Sequence, residues 1–378
     1  MKTHSIEEMI QETQTYYCLD CGVCTGSCPV ARVHPAFSPR LIVEQSLIGL
    51  EEAMDQEIWS CLTCARCSVR CPANINFPEF VRLLRDEAFL KGIEGLHAHN
   101  GMLQTIMALQ TRPLQQNRLA WLTGAEKVSA QGDYFYFVGC RPYFDVIFRD
   151  IEAGSIQGAR NVIRLINTAG LIPAVSNQER CCGHDALWSG HEEQFKTLAR
   201  INIETIKASG AKAVILSCPE GYYTFKEHYP RFFGKLDFEV LHLQEFLVTL
   251  IREKGITFKS LEGTATYHDP CRLGRMAGIY EAPRELIRMI PGLTLVEMER
   301  SRENGVCCGT SAWSNCSSCS KAIQVERLQE AMATGAGTLI TACPKCEIHL
   351  SCALKANPMA IQVKDLNDLL IETMNAEC

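Results

Sequence analysis

Apolar and polar positions follow two rhythms along this chain. In the N-terminal region, helical stretches alternate with clusters of cysteine. In MKTHSIEEMIQETQTYY, Ser5 and Glu8 have the spacing of a capping box that opens a short helix. Within SPRLIVEQSLIGLEEAMDQEIWS, Ser38 can cap and Pro39 suits a first helical position, and Leu41, Ile42, Gln45 and Leu47 to Leu50 continue the helical period. Pro78 opens FPEFVRLLRDEAFLKG, which Gly92 can close. Residues 97–132, rich in Gln, His and Leu, read as a connector with some helix.

Beyond the connector the rhythm changes to short apolar runs between amphipathic ones, and it occurs twice. The first copy has the strand YFYFVG ending at Cys140, then Cys181-Cys182-Gly183, then the strand AVILS ending at Cys218. The second has TATYHDP ending at Cys271, then Cys307-Cys308-Gly309, then GTLITA ending at Cys343, with Cys346 three residues later. Offsets of 131, 126 and 125 residues separate Cys140 from Cys271, Cys181 from Cys307 and Cys218 from Cys343. Helical patterns such as EEQFKTLARINIETIKASGA and KAIQVERLQEAMATGAG end in glycine between the strands. Strand, helix, strand, helix predicts an α/β layer with parallel pairing. The cysteines at the carboxyl ends of its strands should converge at one edge, where such folds place ligands.

Composition narrows the chemistry. The 378 residues suggest two or three domains. A net charge of −6 without a basic run disfavours a nucleic-acid partner. No apolar stretch reaches the roughly 18 residues of a membrane span, and the start lacks the apolar core of a signal peptide. The expectation is a cytoplasmic protein, with any membrane association coming through a partner subunit. There, 21 cysteines point to metal binding or redox work rather than to a disulfide framework.

Eight of the cysteines form two copies of CxxCxxCxxxCP, at Cys18, Cys21, Cys24 and Cys28 and at Cys61, Cys64, Cys67 and Cys71. This run holds cubane [4Fe–4S] clusters, the fourth cysteine of each run ligating the other cluster. One cluster should use Cys18, Cys21, Cys24 and Cys71, and the other Cys61, Cys64, Cys67 and Cys28. Zinc would not call for the third cysteine or the trailing proline. Cys316 and Cys319 form a further pair, read either as a redox dithiol or as two buried thiols on a loop. Cys352 and Cys378 look incidental.

Helices rather than hairpins around the two runs resemble the α-helical ferredoxin domains of succinate dehydrogenase iron–sulfur subunits and of the C subunit of heterodisulfide reductase. The pattern C-x35-CCG-x33-CPKC, at Cys271, Cys307, Cys308, Cys343 and Cys346, resembles the cysteine-rich CCG motif of heterodisulfide reductase B and D subunits. In that family five cysteines hold a non-cubane [4Fe–4S] assembly, in which adjacent thiolates serve neighbouring irons, and Gly309 would let the backbone close against it. A zinc site or a group of core cysteines is the alternative. The first copy departs from the pattern, because Cys218-Pro-Glu-Gly221 lacks the fifth cysteine. Its remaining ligands, Cys140, Cys181, Cys182 and Cys218, suit zinc, a further iron–sulfur centre, or no metal, with His184, Glu220 and His228 as substitute ligands or ordinary polar residues near a surface. Arg141 and Arg272 follow the first cysteine of each copy. Each either offsets thiolate charge and holds an anionic substrate group, or faces solvent.

The resemblance covers nearly the whole chain. It implies an α+β, α/β architecture: an α-helical ferredoxin domain over 1–96, a connector over 97–132, and CCG domains over 133–258 and 259–378. It also implies an iron–sulfur subunit that passes electrons through two cubanes to a non-cubane cluster at the second motif. A disulfide or thiol substrate would meet Arg272 and His268 there. The rival expectation is a relay between a flavin dehydrogenase or an acyl-CoA reductase complex and a quinone or ferredoxin. No flavin or nucleotide motif is legible, so electrons must come from other redox subunits, flavin-containing or a membrane cytochrome.

Overall fold

The computed structural model describes residues 5–49, 54–153, 155–314 and 316–375. Leu50, at the expected end of one helix, and Cys378 lie outside the described residues. The chain forms two compact units. The first comprises Met1–Arg112, Gly183–Thr197 and Glu303–Arg327, and the second Pro113–Cys182, Leu198–Arg302 and Leu328–Cys378. The segments that follow each adjacent cysteine pair therefore pack with the N-terminal region, although they fall inside the two repeats in sequence.

The first unit is helical among its described residues. Ser5 Oγ accepts from the Glu8 amide at 3.2 Å, and the Ser5 amide donates to Glu8 Oε2 at 3.0 Å, so the capping box opens helix Ile6–Glu12. Ser38 caps Pro39–Leu47, accepting from the Leu41 amide at 3.3 Å, and this helix stops at Leu47. Asn76 caps Phe77–Leu90, which puts Pro78 at the second helical position, and the chain leaves through Gly92 at φ +78°. That helix buries apolar residues (Phe77, Phe80, Val81, Leu84) and also charged ones. Arg82, 1% exposed, lies 2.9 Å from Glu79 and 2.5 Å from Asp86, so its charge is paired where water cannot reach it. Burial raises the Asp86 carboxyl to about 7, although Arg82 opposes the shift.

The second unit carries two parallel sheets. The first joins β1 (Tyr134–Phe137), β2 (Ala213–Leu216) and β3 (Glu239–His242) in that order. Ala174 adds a single parallel bridge on the free edge of β1. The second sheet uses β4 (Gly263–His268), β5 (Leu293–Leu295), β6 (Thr338–Thr341) and β7 (Gln362–Asp365), in the order β5-β4-β6-β7. Aligning β1 with β4 and β2 with β6 places Ala174 where the other copy has β5. The repeat seen in the sequence is thus a repeat of topology.

Corresponding residues of the repeats meet each other. Gln244 and Asn367, each two residues beyond the last residue of its edge strand, are joined by a 3.1 Å hydrogen bond. Glu220 and Lys345, each second after the cysteine that ends a central strand, form an ion pair at 2.6 Å, with side chains 13% and 6% exposed. The Cys218 and Cys343 thiols, at matching places again, are near enough for Cys343 to raise the Cys218 pKa. Residues at matching places touch, so the two halves are related by an approximate two-fold axis.

Candidate functional site

The two ferredoxin-like runs have matching backbones. Cys18 and Cys61 sit at φ −60°, ψ 123° and φ −63°, ψ 125°. The fourth cysteines, Cys28 and Cys71, sit at φ −74°, ψ 124° and φ −75°, ψ 120°. A residue before proline is pushed out of the helical region, so Pro29 and Pro72 set that extended conformation. Between the ligands the chain turns through left-handed positions at matching places, Asp20 and Gly22 in one run and Thr63 and Ala65 in the other. Non-glycine residues stay in this region only where their surroundings enforce it.

These turns leave two small cavities. Cys18, Cys21, Cys24 and Cys71 line one of about 30 Å³. Cys28, Cys61 and Cys64 line another of about 20 Å³, and Cys67 lies on the wall of both. The fourth cysteine of each run has crossed to the other run's cavity. Cys21 is exposed, whereas Cys28, Cys61 and Cys64 are buried. Burial pushes the Cys28 thiol up to about 12, with Cys64 and Cys61 adding repulsion, and Cys67 rises well above its ordinary value for the same reasons. Buried thiols grouped in this way become thiolates where a cation displaces their protons. All-sulfur donor sets of this kind select zinc or iron–sulfur clusters.

Residues without a sequence signature hold this region. Arg85, fully buried, donates to the carbonyls of Ile58 at 2.8 Å, Cys61 at 2.7 Å and Trp188 at 2.9 Å. Thr63 Oγ1 lies 2.8 Å from Ser311 Oγ, three residues beyond Cys308. The second cysteine run thereby touches the segment after Cys307-Cys308 directly, and Arg85 links it to the segment after Cys181-Cys182. An arginine within the helical stretch FPEFVRLLRDEAFLKG is the signal the sequence offers, and nothing there names its partners.

In the first repeat, Cys140 Sγ stands 3.6 Å from Cys181 Sγ. Asn202 donates to the Cys181 carbonyl at 2.9 Å, and the Tyr229 hydroxyl to that of Cys182 at 3.1 Å. Glu179 accepts the amides of Val138 and Gly139 at 3.0 and 2.9 Å, fixing the turn into Cys140. Cys218 caps helix Pro219–Tyr223. The neighbouring Cys343 thiol, reinforced by burial, drives its pKa well up. A Cβ at Gly221 would lie 4.0 Å from Cys182 Sγ, so the missing fifth thiol is missing from a position that faces the cysteines.

In the second repeat, Cys343 caps helix Pro344–Ala356 and Cys346 lies in its first turn, both buried. Cys271, half-buried, precedes the one-turn helix Arg272–Met276. These three belong to the second unit, and the buried pair Cys307 and Cys308 to the first. Gly309 has φ +83°, and a Cβ there would lie 2.8 Å from the Ser320 carbonyl oxygen. Gly183 has φ +82°, with a Cβ 2.8 Å from the Phe195 ring. Each CCG glycine is therefore required by its backbone and by its neighbour.

The structure corrects several expectations for the polar residues. Arg141 is neither solvent-facing nor directed at a substrate; it is buried and paired with Asp365 at 2.9 Å. Arg272 is also buried, with Nη1 3.0 Å from Met276 Sδ. His268 ends β4 fully buried. His184 and His228 are buried rather than near a surface, and His184 Nδ1 lies 2.9 Å from Asp185. Cys316 is exposed and Cys319 half-buried in the first turn of helix Ser318–Ala333, so they are not two buried thiols on a loop. Cys352 is half-buried on Pro344–Ala356.

Known proteins share this arrangement. Residues 14–75 match the 4Fe-4S dicluster domain family, and residues 134–226 and 265–351 each match the cysteine-rich domain (CCG) family. The chain is similar to the D subunit of the dihydromethanophenazine:CoB–CoM heterodisulfide reductase of Methanosarcina mazei, at 32% identity over 79% of this chain and 73% of the relative. It is 34% identical to the corresponding D subunit of Methanosarcina barkeri over 69% of this chain and 63% of that protein. The EtfAB:quinone oxidoreductase of Syntrophomonas wolfei is 31% identical over 59% of this chain and 32% of its own length. A hypothetical protein of Helicobacter pylori has the same fold, with a TM-score of 0.58 over 99% of this chain and 72% of that one at 11% identity.

Proposed function

The chain belongs to the family of heterodisulfide reductase D subunits, and from that premise we propose that it carries electrons through two cubane clusters to a non-cubane cluster at the second cysteine-rich repeat, where a disulfide or related sulfur bond is reduced. The coarser part is plain: it is an iron–sulfur oxidoreductase subunit with a dicluster domain and two CCG domains. The observation that carries the finer reading is the exchange of fourth cysteines between the two cavities. Cys18, Cys21, Cys24 and Cys71 would hold one cubane, and Cys61, Cys64, Cys67 and Cys28 the other. Bound there, each cluster supplies one electron at a time, and a disulfide takes two.

The chain's own residues give the path a direction. Exposed Cys21 lies among Tyr16, Tyr17 and Leu19, exposed as well, so electrons from a flavin-containing or cytochrome partner enter at the first cavity. The buried second cavity follows, and its Thr63 touches Ser311 beyond Cys308. The sequence pattern of Cys271, Cys307, Cys308, Cys343 and Cys346 supports assigning the non-cubane cluster to them. Buried Arg272 would offset thiolate charge, and His268 is the candidate proton donor to a leaving sulfur. The first repeat, with Cys140, Cys181, Cys182 and Cys218, would hold zinc or another iron–sulfur centre. No helix among the described residues is long and apolar enough to cross a membrane, so membrane association would come through a partner.

The deciding assay supplies electrons from a reduced viologen to a heterodisulfide and compares wild type with Cys308→Ser. Turnover lost in the variant, with both cubanes still reducible, supports the reading. The similarity to EtfAB:quinone oxidoreductase favours a second reading, a relay between a flavin dehydrogenase or acyl-CoA reductase complex and a quinone or ferredoxin. Wild type that reduces no disulfide but passes electrons to a quinone analogue establishes that alternative.

A further inference from the structure

The first unit contains a third and far larger cavity, about 550 Å³, and none of the proposed cluster ligands lines it. Its size falls in the range of about 300–1,000 Å³ typical of small-molecule sites. Its walls carry two sulfur atoms, those of Cys316 and Cys319, together with His34, Trp59 and His99. Cys316 is exposed. Cys319 is half-buried and donates to the Val33 carbonyl across 3.6 Å. One thiol is thus open to an arriving molecule, and the other is partly enclosed and tethered to the backbone.

The chain around this pair is held in an unfavourable backbone. Ala312 and Trp313 lie at φ +50° and +54°, and His99 and Asn100 on the cavity wall at +53° and +54°. The Ala98 amide donates to the Trp313 carbonyl at 2.6 Å, and Gln104 Nε2 to that of Ala312 at 3.2 Å. Such strain persists where tertiary contacts over-determine it, and it clusters at working sites. His34 Nε2 lies 2.8 Å from Glu57 Oε2, which places an imidazole and its carboxylate partner on the same wall.

We propose that Cys316 and Cys319 are a redox-active dithiol and that this cavity receives a small-molecule disulfide for thiol–disulfide exchange. The inference rests on the disulfide-reducing reading above. The Cys316 thiolate attacks one sulfur of R–S–S–R, the S–S bond breaks, and the departing R–S⁻ takes a proton, with His34 as its source. Cys316 then carries the other half as a mixed disulfide. The Cys319 thiolate attacks Cys316 Sγ and expels the second R–S⁻, which is protonated in turn, and a Cys316–Cys319 disulfide remains. The substrate has gained two electrons and two protons, and the pair has lost them. Its return to the dithiol takes two electrons, delivered singly by the reduced iron–sulfur carriers of the proposed path, and two protons from solvent.

The test uses the full, cluster-loaded chain purified without oxygen, with bis(2-hydroxyethyl) disulfide as the probe, then alkylation and peptide mapping. The wild type should release both halves of the probe as thiols, and its peptide spanning Cys316 and Cys319 should become disulfide-linked. Cys319→Ser should stop at a mixed disulfide trapped on Cys316, and Cys316→Ser should lose the reaction. Cys316 is exposed and serine is nearly isosteric, and unchanged visible absorption in both variants verifies folding. A wild-type peptide that stays reduced, or equal labelling of Cys316→Ser, overturns the proposal. Viologen-driven turnover separates the two readings. Equal disulfide turnover in wild type and both serine variants removes the dithiol and leaves the cluster reading standing. Trapping on Cys316 in a chain that shows no viologen-driven turnover retains the dithiol and defeats the cluster reading instead.

Discussion

In the first cysteine-rich repeat Cys218 is followed three residues on by Gly221; in the second, Cys343 is followed by Cys346. Around that difference much is alike. Both cysteines cap a helix at the end of a central, parallel-paired strand. Both repeats have a CCG glycine at φ near +83° with its Cβ position blocked. Both have a fully buried tryptophan shortly afterwards, Trp188 or Trp313. A duplicated scaffold has thus kept its backbone requirements while changing the donor atoms it offers. Backbone demands such as a left-handed glycine are set by the fold, whereas the ligand count is set by one side chain.

The largest expected effect separates the repeats by activity. Cys308→Ser should abolish disulfide reduction, while Cys182→Ser should leave most of it. Rates measured with the same viologen donor would erase the distinction if both variants were equally dead. Next, Gly221→Cys should restore the five-cysteine pattern in the first repeat. Its Cβ would lie 3.2 Å from Leu216 Cδ2, a contact that a small shift of that side chain relieves. Iron should rise by about four atoms per chain if a further [4Fe–4S] centre forms. Iron and zinc analysis that finds no change means the fifth thiol does not decide the centre.

The contacts between the repeats can be broken separately from their ligands. Glu220→Gln leaves the Lys345 ammonium, 6% exposed, without its carboxylate at 2.6 Å. The cost should be about 3 kcal/mol, read as a lower denaturation midpoint. The double exchange Glu220→Lys with Lys345→Glu should recover most of it, and an exchange as damaging as the single change would show that orientation, not pairing, matters. The smallest effect belongs to Gln244→Ala, which removes the 3.1 Å bond to Asn367 and should cost about 1 kcal/mol. Thermal unfolding that does not move would mean that water replaces the amide.

Much of the fold was legible because its signals are local. The capping box at Ser5, the apolar runs of β1, β2, β4 and β6 and the glycines that end the helices each depend on neighbours in the chain. The edge strands were not. β7 reads QVKD, too polar to mark itself as a strand, and β5 has three residues. The cysteine spacing picked out the candidate cysteine ligands, since a CxxC spacing is also local. What spacing could not convey was burial and long-range pairing. Arg141 looked like a residue for a substrate because it follows Cys140, yet its partner Asp365 is 224 positions away. The Cys316–Cys319 pair was read without the cavity it lines, because residues from separate stretches of the chain make that cavity.

The meeting of Glu220 with Lys345 also bears on how such a chain can change over time. Where an approximate two-fold axis runs through a duplicated protein, each residue on it faces its own twin. Two identical halves would bring glutamate to glutamate or lysine to lysine, in a place with little water to screen them. Symmetry is therefore unaffordable at this spot, and the halves had to become unlike in charge before they could close tightly. Once unlike, neither position can revert alone, so the two should substitute as a pair among relatives that keep this contact.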